Sequence, residues 1–206
     1  IKNGVPVAIA GATNTGKSTL LNALLGEDRA IVSDIHGTTR DTIEETLNID
    51  GIRFRFIDTA GLRETSEVVE KIGIERTFKK ISEASIVLGM VDLTRDLDTT
   101  LETVSDILDK VDFNCQKLVI LLNKTDIFDI NKNVSTINTI VSLIDSKGFK
   151  AQLTNEGEIY DTESHFEENH SKDAVNILPI SAKTGSGIRV LRNLLASTQR
   201  DLLGDS

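Results

Sequence analysis

Gly11-Ala12-Thr13-Asn14-Thr15-Gly16-Lys17-Ser18 constrains this chain more than any other stretch. It matches the pattern G-x-x-x-x-G-K-S/T and lies where an apolar run, Val5–Ala10, gives way to a helical pattern, Ser18–Leu25. A strand that ends in a glycine-rich turn and reopens as a helix makes an anion cradle, because backbone N–H groups converge at a helix N-terminus. The glycines let that backbone wrap a phosphate chain. Lys17 would reach the β- and γ-phosphates and the Ser18 hydroxyl would ligate Mg²⁺, with Asn14, Thr15, Gly16 and Thr19 completing the phosphate side. Average residue frequencies give this pattern by chance in about one per cent of chains this long. The strand–loop–helix context makes chance a poorer explanation still.

Further apolar runs without alternation recur at Ile86–Val91, Leu118–Leu122 and Ile177–Ile180, as suits strands buried on both faces of a parallel sheet. Helical patterns separate them at Ile72–Ile81, Leu97–Val111, Val134–Ile144 and Ile188–Leu195. This alternation predicts a doubly wound α/β domain: a six-stranded, mostly parallel sheet with helices on both faces. Thr42–Ile49 and Ile52–Ile57 instead alternate polar and apolar residues around Asp50-Gly51, a two-residue hairpin signal. One strand at the edge is therefore expected to be antiparallel. With 206 residues, 39% of them hydrophobic, residues 1–206 read as one domain with material for a packed core.

Composition excludes several roles. A net charge of −9 argues against a domain that grips nucleic acid by itself, and the absence of Trp removes the usual stacking platforms. No stretch approaches the ~18 apolar residues of a spanning helix, so no membrane partner is expected. The start lacks signal-peptide features, and the single Cys115 cannot form an internal disulfide; a cytoplasmic location follows. Cys115 is expected to be a small buried residue at a strand edge. Ile1 in place of Met points to a piece of a longer protein. Residues Thr154–Lys172 hold six acidic side chains with few apolar ones and read as a surface insertion. His165 and His170 within it could be metal ligands or solvated loop residues; no ligand pair at a fixed spacing supports the former.

Two later loops complete the chemistry. Asp58-Thr59-Ala60-Gly61 follows the short run Phe54–Ile57, so Asp58 could hold Mg²⁺ through water and Gly61 could offer its amide to a γ-phosphate. Alone, those four residues could equally be a plain turn. Asn123-Lys124-Thr125-Asp126 ends the run Leu118–Leu122, where α/β sheets place their ligands. An aspartate there can accept from guanine N1–H and its 2-amino group; adenine presents a lone pair instead, a costly mismatch in a dry pocket. Ser181-Ala182-Lys183, after Ile177–Ile180, would close over the base. Taken in this order, the loops specify GTP and GDP.

The series P-loop, Gly37-Thr38-Thr39-Arg40-Asp41, DTAG, NKTD and SAK resembles the GTPase domain of the translation-factor class across nearly the whole chain. Residues Asp58–Arg76, DTAGLRETSEVVEKIGIER, are similar to the switch region of the tRNA wobble-uridine-modification GTPases, the MnmE (TrmE) family. That resemblance implies GTP hydrolysis, with Thr39 on Mg²⁺. It further implies K⁺ held by Asn14 together with the Ser33, Ile35 and Thr38 region, and pairing of two G domains in the GTP or transition state. A longer protein would act on tRNA with a flavin-dependent partner. Leu62 stands where many relatives carry a water-orienting glutamine, and leucine has no donor or acceptor. The family supplies a glutamate, whose position here is Glu70. From residue chemistry alone, Glu70 is as readily a helix-start carboxylate and Asn14 a helix cap. Two other functions fit the same motifs: a ribosome-assembly GTPase, and a GTP-binding switch with negligible hydrolysis.

Overall fold

A computed structural model describes residues 4–31, 45–57, 81–154 and 174–204. Among the described residues, seven strands form a single sheet: β1 (Val5–Ala10), β2 (Glu45–Ile49), β3 (Ile52–Phe56), β4 (Ile86–Asp92), β5 (Lys117–Asn123), β6 (Lys150–Leu153) and β7 (Ala174–Pro179). Their order is β2-β3-β1-β4-β5-β7-β6. All neighbours run parallel except β2 and β3. The α-helices among the described residues are α1 (Lys17–Ile31), α2 (Leu97–Leu108), α3 (Val134–Ser146) and α4 (Ile188–Gly204).

Successive residues of the central strands serve two cores. Ile86, Leu88 and Met90 of β4 pack with Leu20 and Leu24 of α1 and Leu191 and Leu195 of α4. Val87 and Val91 join Val104 and Ile107 of α2 and Ile137, Ile140 and Ile144 of α3 on the opposite face. Both faces are dry, so the strands carry continuous apolar runs and the doubly wound architecture follows. Each fully buried Leu or Ile adds roughly 1.5–3 kcal/mol to this arrangement.

The hairpin forms as its sequence requires. Asp50 (φ 51°) and Gly51 (φ 79°) both lie in the left-handed region that a two-residue turn of this twist demands. β2 is the antiparallel edge strand, paired from Glu45↔Phe56 to Ile49↔Ile52. Arg192 of α4 donates to the carbonyls of Leu24 and Asn48, and Arg200 pairs with Asp50 at 3.2 Å, which fixes the hairpin against the last helix.

Two expectations need correction. Among the described residues the sheet has seven strands rather than six, the addition being β6 on the edge beside β7. Its four residues, Lys-Ala-Gln-Leu, are half-buried or exposed, so no apolar run announces them. Cys115 is exposed, whereas its neighbour Gln116 is 3% exposed. The Gln116 amide donates from Nε2 to the carbonyls of Ile81 and Ala84, and its Oε1 accepts from Asp112 N. A polar residue is buried here because backbone groups need it. All of the acidic insertion but Thr154, and all of the helix expected over Ile72–Ile81 but Ile81, lie outside the described residues.

Candidate functional site at the strand ends

The loops singled out in the sequence follow β1, β5 and β7, all at the carboxyl edge of the sheet. The first is a tight cradle. Gly16 has φ 100°, and a Cβ there would lie 2.5 Å from Asn123 Nδ2, an atom fixed by its own bond to Thr15 O at 2.7 Å. Only glycine fits between the loop and β5. Thr15 is buried and its hydroxyl donates to Ala12 O at 2.9 Å, so its side chain shapes the turn rather than facing outward. Asn14 is exposed with φ 63°, at the outer bend. Thr19 is exposed and Ser18 half-buried in the first turn of α1.

The Lys17 ammonium folds over the loop and donates to the carbonyls of Gly11 and Ala12, each at 2.8 Å. Burial pushes it below the usual lysine range. Among the described residues this ammonium meets only neutral carbonyls, so it is under-compensated, and a polyphosphate would supply the missing charge.

Asn123 joins the three loops. Besides its bond to Thr15 O, its Oδ1 accepts from Ala182 N at 3.0 Å. Ser181, 1% exposed, accepts from Thr184 N at 3.2 Å and donates to Asp126 Oδ1 at 2.8 Å. One carboxylate oxygen is thus engaged and the group is aimed, while Asp126 remains exposed. Ala182 is buried and Lys183 exposed in a turn closed by the Ser181↔Ser186 bridge. Lys124, at φ 74°, lies between Asn123 and Asp126 with its ammonium 2.6 Å from Asp92 Oδ2. The structure therefore brings Asn14 to Thr19, Asn123, Lys124, Asp126 and Ser181 to Lys183 into one edge of the sheet. Ser33, Ile35, Thr38, Thr39, Asp58, Gly61, Leu62 and Glu70 lie outside the described residues. Asp92 went unnoticed in the sequence; the available signal was a lone carboxylate ending a run of six residues with no charge.

Fold and site define a P-loop nucleotide-binding domain with three strand-end loops. A family model described as 50S ribosome-binding GTPase matches residues 6–124, more than half of the chain, and the chain belongs to that GTPase family. Among curated proteins it is 58% identical over 131 residues to the tRNA modification GTPase MnmE of Bacteroides thetaiotaomicron, covering 63% of this chain and 27% of that protein. It is 52% identical over 154 residues to the MnmE of Flavobacterium johnsoniae, covering 71% of this chain and 33% of that protein. The chain thus spans about a quarter to a third of the relatives it matches. Among solved structures, Era in complex with MgGDPNP and nucleotides 1506–1542 of 16S ribosomal RNA aligns with TM-score 0.56 and 28% identity over 93% of this chain and 55% of that one. The FeoB G-domain from Methanococcus jannaschii aligns with TM-score 0.52 and 19% identity over 93% and 95%, which speaks to the fold. Membership of a GTPase family implies dependence on Mg²⁺. Among the described residues, no helix is long and apolar enough to cross a membrane.

Proposed function

We propose that residues 1–206 form the GTP-binding and GTP-hydrolysing domain of a tRNA modification GTPase acting at the wobble uridine. The observation that carries the nucleotide half is the Asn123 amide, which ties the phosphate cradle to the loop that would close over a base. The identity of 58% over 131 residues with relatives named for tRNA modification supports the second half, against 28% with Era. Guanine would be read by Asp126, with Ser181 aiming its carboxylate and Ala182 and Lys183 over the ring. Mg²⁺ would sit on Ser18 and Thr39, with Asp58 acting through water, and it would offset charge on the β- and γ-phosphates. The donor chemistry fits a hard cation, since Ser18 offers a hydroxyl oxygen in the first turn of α1, and the Lys17 ammonium over the loop would share in offsetting the phosphate charge.

Glu70 would orient the attacking water in place of the glutamine that Leu62 cannot imitate. A K⁺ ion would lie at Asn14, with Ser33, Ile35 and Thr38 around it; oxygen donors without added charge suit a hard monovalent cation. Closure over γ-phosphate would then couple K⁺, hydrolysis and pairing of two G domains. tRNA and a flavin-dependent partner would be engaged through a longer protein, in the cytoplasm.

The test measures GTP hydrolysis and particle mass in K⁺ and in Na⁺, with GDP and aluminium fluoride trapping the closed state. K⁺ is expected to accelerate hydrolysis and favour the dimer, and Asn14→Ala to erase the difference. Glu70→Ala is expected to slow hydrolysis by about 10²-fold with GTP affinity nearly unchanged. Equal rates and monomeric mass in both salts would remove the cation and the pairing; wild-type hydrolysis by Glu70→Ala would remove the glutamate.

A further inference from the structure

β4 is buried along its whole length and ends in a carboxylate, Asp92, whose side chain is 3% exposed. A charge so placed is costly unless its partners neutralise it. Both of its oxygens are occupied. Oδ1 accepts from Thr94 N at 2.9 Å and from Thr94 Oγ1 at 2.6 Å. Oδ2 accepts from Lys124 Nζ at 2.6 Å, with Arg95 Nε at 3.6 Å. The strand register pairs Asp92 with Asn123, the last residue of β5, so Lys124 is the first residue beyond the neighbouring strand.

A lysine in a loop ordinarily extends its ammonium into water. Lys124 does the opposite: its backbone takes φ 74°, its ammonium reaches across to β4, and its side chain is 31% exposed. Pinning Nζ restrains the four-carbon stem between Asn123, tied to the phosphate cradle, and Asp126, tied to Ser181. A free stem would lose its rotamer freedom only when a ring came to lie beside it, at the expense of affinity.

We infer that Asp92 is a positioning residue of the nucleotide site: it holds Lys124 so that the lysine stem forms a fixed flank of the cleft for a guanine ring. This inference rests on the guanine-nucleotide reading above. It concerns the base side of the cleft, so binding should respond and the chemical step should not.

The test titrates a fluorescent GDP into the full chain and measures kcat and KM for GTP. Asp92→Asn keeps the shape and removes the charge; Kd for GDP is expected to rise about tenfold, with kcat within about twofold of wild type. In a Lys124→Ala background the same substitution should change Kd by less than about twofold, because the group it acts through is gone. Thr94→Ala, on an exposed residue, removes one donor to Asp92 and should raise Kd about threefold even if Asp92→Asn fails to fold. Unchanged Kd in Asp92→Asn or Thr94→Ala, or equal losses with and without Lys124, would overturn the inference. No GDP binding by wild type would overturn the guanine reading as well, whereas wild-type binding with indifferent variants overturns the positioning role alone.

Discussion

Asp92 and Lys17 show two opposite answers to one problem, a charge taken out of water. Lys17 meets only neutral carbonyls among the described residues, and burial pushes its ammonium below the usual range, so a phosphate bound as proposed would complete its charge. Asp92 is fully answered. Burial alone would raise its carboxyl, but the bonds from Lys124 and Thr94 and the Lys124 charge outweigh burial and hold it below the ordinary 3.8. A carboxylate depressed in the folded state contributes stability that is complete above its unfolded value and is lost as pH falls through the folded one. The stability gap between wild type and Asp92→Asn, from urea midpoints, is therefore expected to be constant near neutral pH and to narrow below about pH 4. A gap that persists unchanged into that acid range would mean that Asp92 is not held ionised by its partners.

The elements were legible in the sequence wherever burial is two-sided. β1, β4 and β5 follow their apolar runs within a residue, because strands dry on both faces leave no room for polar positions. β7 starts at Ala174, three residues before its apolar run, since Asn176 interrupts the pattern while β6 and β5 still pair with it. β6 was illegible because an edge strand of four residues has one neighbour and no dry face. The site was legible in its motifs, whose backbone demands fix residue types, but Asp92 and Gln116 act through partners distant in sequence. Gln116 reaches back 32 and 35 residues to the carbonyls of Ala84 and Ile81. It thereby fixes the approach to β4. Gln116→Ala would take the amide away from Ala84 O and Asp112 N and leave Ile81 O with Ala84 N only, and is expected to cost about 2–4 kcal/mol in urea unfolding. A loss under about 0.5 kcal/mol, the size of an ordinary surface change, would mean that water replaces the amide without penalty.

The sheet order gives the molecule its function-bearing edge, because β1, β4, β5 and β7 are consecutive neighbours and all point the same way. Loops that leave three of them are then close enough for one amide, that of Asn123, to bond both Thr15 O and Ala182 N. A nucleotide bridging the phosphate cradle and the base loops should consequently stabilise the domain as a unit. At a thousandfold excess over Kd, a ligand that binds only the folded state adds about 4 kcal/mol. For a chain of 206 residues that corresponds to roughly 8–16 °C in Tm. GDP is expected to produce such a shift and ADP at the same concentration almost none, because Asp126 faces a lone pair on adenine. Asp126→Asn should transfer the response from GDP to xanthosine diphosphate, whose keto group can accept from the new amide. Asn123→Ala should lower Tm without ligand and also shrink the GDP shift, since the two ends of the nucleotide would then engage loops no longer joined. Equal shifts with ADP and GDP would defeat the base reading. A full GDP shift in Asn123→Ala would show that the loops bind independently, and the edge would be three adjacent sites rather than one.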